Sequence, residues 1–204
     1  MRLSLNEVEV KLKKAAMGAG YATGLAEDTG RACFWLAERG LDAAGAGAAA
    51  LQCPPGGGAG VLDDGCLRFA AARVVRDGPS ALDLLLSGDA SLVELEAADA
   101  PLLLVGLAGV AAAAHGGAWR LVHAAGALVI GGDGVDGAIP KQGAMIRLTR
   151  LAEATPTGKA PQTGGCEVGD ADWAAITALA ARLLVPESDA SRQAGAGAGA
   201  IDND

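Results

Sequence analysis

From Ala100 to Trp119 the chain runs for 20 residues without a formal charge, APLLLVGLAGVAAAAHGGAW. A stretch of that length has to be hidden, either in a bilayer or in a protein core. Its make-up decides between the two. Most of it is Ala and Gly, Pro101 stands at its head and His115 near its end, and strongly apolar residues cluster only from Leu102 to Leu107, so transfer into lipid gains little. We read it as a buried strand-to-helix element.

With 204 residues, the chain can bury roughly 70% of the surface it exposes when unfolded, enough for one domain without disulfides. Six aromatic residues against 31 Gly mean that the core is built from Leu, Val and Ala. Of 16 cationic residues 11 are Arg, yet the net charge is −8, a field that repels phosphate backbones. Nucleic acid and anionic membrane are therefore excluded as partners, while a local Arg site for a small anion is compatible with the charge. Cys33, Cys53, Cys66 and Cys166 are 20, 13 and 100 residues apart, and no pair has the C-x-x-C spacing of zinc or redox motifs. They read as reduced, structural thiols. The start, MRLSLNEVEVKLKKAA, has charges throughout and no apolar stretch of signal-peptide length, so a cytoplasmic location is expected.

Along the chain, Ser4 and Glu7 have the spacing of a capping box, with Leu3 and Val8 placed as a hydrophobic staple. This predicts a helix from Leu5 to about Met17, ended by Gly18–Gly20. A second helix is expected from about Gly24 to Arg39, with Cys33 on its buried stripe, and a third over 43–52 before the loop CPPGGGAG. VLDDGCLRFAA reads as two short strands about an Asp-Gly turn, and PSALDLLLSG as a short helix starting at Pro79 or Ser80. AWRLVHAAGALVIGGDG and GAMIRLTRL read as neighbouring antiparallel strands, with His123 projecting from the surface opposite Leu121. GDADWAAITALAARLL is a last amphipathic helix, capped by Asp170 or Asp172 and stopped by Pro186. The expected fold is α+β: N-terminal helices, a central mostly antiparallel sheet, one late amphipathic helix and a Gly-rich C-terminal tail. One domain covers residues 1–204, helical over 1–52, mixed over 61–185, with a C-terminal segment over 186–204.

Familiar catalytic signatures are missing. GAGAGA near the end has dinucleotide-loop spacing at Gly195, Gly197 and Ala200, but the motif needs a helix after it and only four residues follow. TGKAP lacks the first Gly and the Ser or Thr of a phosphate loop, and HGG at 115–117 has no G-x-S-x-G to supply a nucleophile. With two histidines on different elements, no metal-ligand spacing emerges. The carboxylates say more. Glu7 and Glu27 serve helix starts, and with Asn6 and Tyr21 they flank the Gly-bounded break between the first two helices, where backbone N–H groups can approach a ligand. They are the candidate catalytic residues, general bases if burial raises their pKa.

The head SLNEVEV…AAMGAGYATGLAED…CFWLAERGL (Ser4 to Leu41) and the end VPESDASRQAGAGAGAIDND (Val185 to Asp204) resemble the two signature ends of an uncharacterised bacterial family, domain of unknown function 3726. Matching positions include Ser4, Asn6, Glu7, Gly18, Gly20, Tyr21, Glu27 and Trp35 at the head; Thr23 and Leu184 depart from it, standing where the family pattern has Trp and Tyr. The resemblance implies that the tail belongs to the domain. It implies no activity, cofactor or substrate.

The tail then admits two readings, a solvated acidic end or part of a site. For the site, Ser188, Ser191 and Arg192 offer hydroxyls and a guanidinium fork to a carboxylate or phosphate. Asp202, Asn203, Asp204 and the terminal carboxylate could hold Mg²⁺ or Ca²⁺, or dock on a basic partner. Two function classes follow: a small anionic or polar molecule bound, with or without catalysis, between the Asn6–Glu7 and Tyr21–Glu27 corner and the tail, or a non-catalytic accessory subunit packing on a larger enzyme complex. Oligomerisation fits either.

Overall fold

The computed structural model describes residues 1–53, 55–56, 58–153, 156 and 164–183. Chain order begins with β1 (Arg2–Leu3), then three helices, α1 (Leu5–Gly18), α2 (Thr23–Glu38) and α3 (Ala43–Leu51). The capping box is formed as its spacing predicts: Ser4 Oγ accepts from the Glu7 N–H at 3.2 Å and Glu7 Oε2 accepts from the Ser4 N–H at 2.9 Å. Gly20, at φ +96°, turns the chain from α1 into α2 in a conformation that glycine adopts at little cost.

A mixed region follows: β2 (Val61–Asp63), β3 (Cys66–Phe69), α4 (Val74–Ser87), β4 (Leu92–Leu95), α5 (Pro101–His115), β5 (Ala118–His123), β6 (Gly126–Gly131), β7 (Val135–Gly137), β8 (Ile146–Leu151), β9 (Cys166–Glu167) and α6 (Asp170–Ala181). Seven strands form one sheet in the order β2-β3-β4-β8-β5-β6-β7; β3 and β4 run parallel and the other neighbours antiparallel. The fold class is α+β, as expected. β1 and β9 make a separate two-stranded ladder that ties the N-terminus to the segment before α6.

The uncharged run is helical from Pro101 onward rather than a strand-to-helix element. Pro at the helix start presets φ, and no β-branched series precedes it. α5 lies in the middle of the molecule. Gly106 and Gly109 let α2 approach: a methyl group at Gly106 would stand 2.6 Å from the Ala32 carbonyl, and one at Gly109 would enter the Trp35 ring. Leu103, Leu104, Val105, Leu121, Leu128, Ile130, Ile146 and Leu148 are fully buried in a connected apolar cluster with Leu12, Leu36 and Ile176. No helix among the described residues is long and apolar enough to cross a membrane.

Three local readings need correction. α4 begins at Val74, so Pro79 lies inside it; the start is held by Asp77 Oδ2 accepting from the Arg73 N–H at 2.8 Å and by Asp99 Oδ1 accepting from the Val74 N–H at 2.9 Å. The second cap comes from 25 residues away and leaves no local spacing to read. The N-cap of α6 is Gly169, with Asp170 and Asp172 in the first turn and no side-chain cap bond. His123 shares its face with Leu121 because side chains two apart on a strand point the same way; it is buried, with Nε2 2.7 Å from the Ala138 carbonyl oxygen.

Candidate functional site

The four head residues singled out by sequence fall at two places. Asn6 and Glu7 occupy the first turn of α1, while Tyr21 follows its last, and a 14-residue helix is about 21 Å long. The glycine turn folds α2 back on α1, so the break between the helices faces Tyr21 and leaves Asn6 at the far end. Asn6 is exposed and lines a shallow hollow with Arg2, Phe34 and Gly164.

The two candidate bases have the opposite electrostatics to those expected. Hydrogen bonds from the Ser4 backbone and hydroxyl hold the Glu7 carboxyl below its ordinary range. Glu27 receives a 2.7 Å hydrogen bond from Lys13 Nζ, and that bond and charge hold it low as well. Burial does not dominate at either, so neither is tuned to take a proton near neutral pH.

The Tyr21 end is different. Tyr21 is 6% exposed, and its hydroxyl has no hydrogen-bond partner among the described residues. The charges that act on its phenol come from three other segments: Cys53 after α3, Arg73 and Arg76 at the start of α4, and Asp99 before α5. Burial pushes the phenol upward, the Asp99 charge adds to this, and Arg73 opposes it.

Asp77 and Asp99 are both buried, 3% and 5% exposed. Asp77 is fully engaged: besides the Arg73 N–H it accepts from Arg76 Nε at 2.6 Å and Nη2 at 3.0 Å. Arg76 is fixed at its other side by donating from Nη2 to the Gly58 carbonyl at 2.7 Å. Asp99 is only half engaged. Its Oδ1 caps α4, but Oδ2 has no hydrogen-bond partner among the described residues, with Arg73 Nη1 at 3.6 Å as a loose ion pair. Burial raises the Asp99 pKa, and the Val74 N–H and Arg73 pull the other way. A cleft of about 460 Å³, lined by Gly58, Gly60, Phe69, Arg76, Asp77 and Ser80, opens beside the Arg76–Asp77 pair.

An unpartnered buried polar atom costs about 1–3 kcal/mol. Two such atoms, one a hydroxyl and one a carboxylate oxygen, stand in a cluster that also holds two guanidiniums. That arrangement is costly for folding and suited to recognition of a polar group.

Elsewhere, Arg39 Nε and Trp119 Nε1 are also buried without a hydrogen-bond partner among the described residues, but the other Arg39 nitrogens have structural work. Arg39 stacks on Trp35 at 4.1 Å and donates to the Trp35 and Gly132 carbonyls, tying α2 to the turn after β6. Cys33 is buried in apolar surroundings that push its thiol pKa up, and all four cysteines are free. Among the described residues no three His, Cys, Asp or Glu side chains converge as a metal site. Ser188, Ser191, Arg192, Asp202, Asn203 and Asp204 lie outside the described residues. α6 runs along α1 with the Leu179 carbonyl against Gly18, so the last described turns lie by the Tyr21 end of α1.

Fold and site together define an α+β protein with a charge-balanced polar cluster where helix ends meet. Residues 3–91 match the model of a family described as Protein of unknown function (DUF3726), so the resemblance read from the sequence stands for its N-terminal block. That span includes Tyr21, Arg73, Arg76 and Asp77. No curated protein matches the chain. Among solved structures, malate dehydrogenase from Entamoeba histolytica is similar with a TM-score of 0.47 and 10% identity, over 74% of this chain and 49% of that one. The chain spans about half the length of that protein, and a likeness this loose defines no activity.

Proposed function

We propose that this protein binds a small anionic or polar molecule at the Tyr21 end of α1, among Arg73, Arg76 and Asp99. One observation carries the reading: the buried Tyr21 hydroxyl and Asp99 Oδ2 have no hydrogen-bond partner among the described residues, and Asp99 Oδ2 has only the loose 3.6 Å ion pair to Arg73. The Asn6–Glu7 end has wider hollows, of about 670 and 600 Å³, but no buried polar atom without a hydrogen-bond partner among the described residues, so the proposed site is narrower than the corner expected from sequence. Arg192 and the serines of the tail are retained as contributors, since the last described turns of α6 lie by the Tyr21 end. Whether catalysis follows binding is a second question, for which Glu7 and Glu27 are poorly tuned.

The test is a thermal-shift titration of the full chain with acetate, inorganic phosphate and glycine. At least one of them is expected to raise Tm saturably, and Arg73→Gln to abolish the rise. A chain ending at Ala190 is expected to keep part of it. No saturable response to any of the three would count against the reading.

A second reading, an accessory subunit, is favoured by the outer edge of the large sheet. Among the described residues β2 pairs with β3 alone, and Val61 and Leu62 on it are 62% and 48% exposed. An edge strand of this kind accepts a strand from a partner. Co-purification that is lost on Leu62→Lys would support it.

A further inference from the structure

We infer that the ligand of the Tyr21 site is a small zwitterion, with a carboxylate and an ammonium on the same or neighbouring carbons as in an α-amino acid; the inference rests on the reading of that site proposed above. The first ground is charge. Arg73 and Arg76 face Asp77 and Asp99, two of each sign, and a bound ion of one sign would leave an uncompensated charge in a largely buried setting. A ligand neutral overall but carrying both signs avoids that cost.

The second ground is the chemistry of the two unpartnered atoms. The Tyr21 hydroxyl can donate to a carboxylate. An ionised Asp99 Oδ2 can only accept, so a carboxylate or phosphate leaves it unsatisfied and an ammonium satisfies it. No simple anion serves both.

The division of labour follows from which groups are already committed. Asp77 has both oxygens engaged and Arg76 is held by Asp77 and the Gly58 carbonyl, so this pair is a fixed wall. Arg73 is a third exposed and only loosely paired, and its guanidinium spans from Asp99 Oδ2 to solvent. Neither atom is reached by solvent, and Arg73 Nη1 stands 3.6 Å from Asp99 Oδ2. Ligand entry therefore needs Arg73 to swing outward, which uncovers Asp99 for the ammonium and frees the guanidinium to clamp the carboxylate in a two-pronged contact.

The test compares glycine with acetate on the full chain by titration calorimetry or chemical-shift mapping. Glycine is expected to bind about tenfold tighter, the size expected for satisfying one buried charged acceptor. Asp99→Asn keeps an oxygen for the Val74 N–H while removing the charged acceptor, and is expected to bring glycine to within about twofold of acetate. Equal affinities for glycine and acetate in the wild type overturn the inference and leave the binding site itself standing; no binding of either, or of phosphate, overturns both. The wild-type comparison needs no variant to fold. A folded Asp99→Asn that keeps the glycine preference overturns the assignment of the ammonium to Asp99.

Discussion

At the scale of single residues, most of the polar head-block positions are satisfied, while among the described residues the Tyr21 hydroxyl and Arg39 Nε are buried without a hydrogen-bond partner. Ser4 and Glu7 cap each other, Gly18 makes room for the Leu179 carbonyl, Glu27 pairs with Lys13, and the Trp35 N–H donates to the Gly132 carbonyl at 3.0 Å. Tyr21 buries a hydroxyl with no partner among the described residues. Satisfied charges also set the acid response. Glu94 accepts from Arg147 at 2.8 Å and Arg68 at 3.1 Å in a row across β3, β4 and β8, and both bonds hold its carboxyl below the ordinary range. Its folded-state pKa lies below its unfolded one, so its contribution is complete above the ordinary value of about 4.3 and is lost as pH falls through the depressed value. Glu94→Gln is expected to lower Tm at pH 7 and to converge on the wild type as pH is taken below about 4, which melts across that range will show.

At the scale of elements, what the sequence disclosed depends on how local the cause is. The start of α1 was readable because cap and partner are three residues apart. The start of α4 was not, because Asp99 caps it from the far side of β4, and Val74 and Val75 carry weak helix preference. The same distance hid the site. Tyr21 stood out by its place in a Gly-bounded turn, but Arg73, Arg76, Asp77 and Asp99 reach it from segments with no shared spacing. Arg73, Arg76 and Asp77 together were the one local hint, two guanidiniums and a carboxylate at a helix start. Helix contact offers a sharper prediction. A methyl group at Gly106 meets the Ala32 carbonyl, a backbone atom that cannot rotate aside, so Gly106→Ala must push α2 from α5. Overpacking of this kind costs about 1–3 kcal/mol, and each kcal/mol is worth roughly 2–4 °C in a chain of this size. A Tm lowered by several degrees is expected by calorimetry.

At the scale of the molecule, α5 divides the work. Its sheet side and its α2 side hold the fold, while its N-terminal end presents Asp99 to the helix ends gathered around Tyr21. The N-terminus closes the outside: the Met1 ammonium donates to the Val168 carbonyl at 3.0 Å and pairs with Asp170 at 3.3 Å, which sets α6 alongside α1. If the Tyr21 hydroxyl serves a ligand, it contributes nothing to the folded chain by itself. The most direct measurement is the ligand-free Tm of Tyr21→Phe against the wild type. Removing an unpartnered buried hydroxyl and keeping the ring is expected to leave Tm unchanged or raise it. A fall of about 2–4 °C, the loss expected for one satisfied hydrogen bond of about 1 kcal/mol, would mean that the hydroxyl is bonded within the fold and would contradict the account.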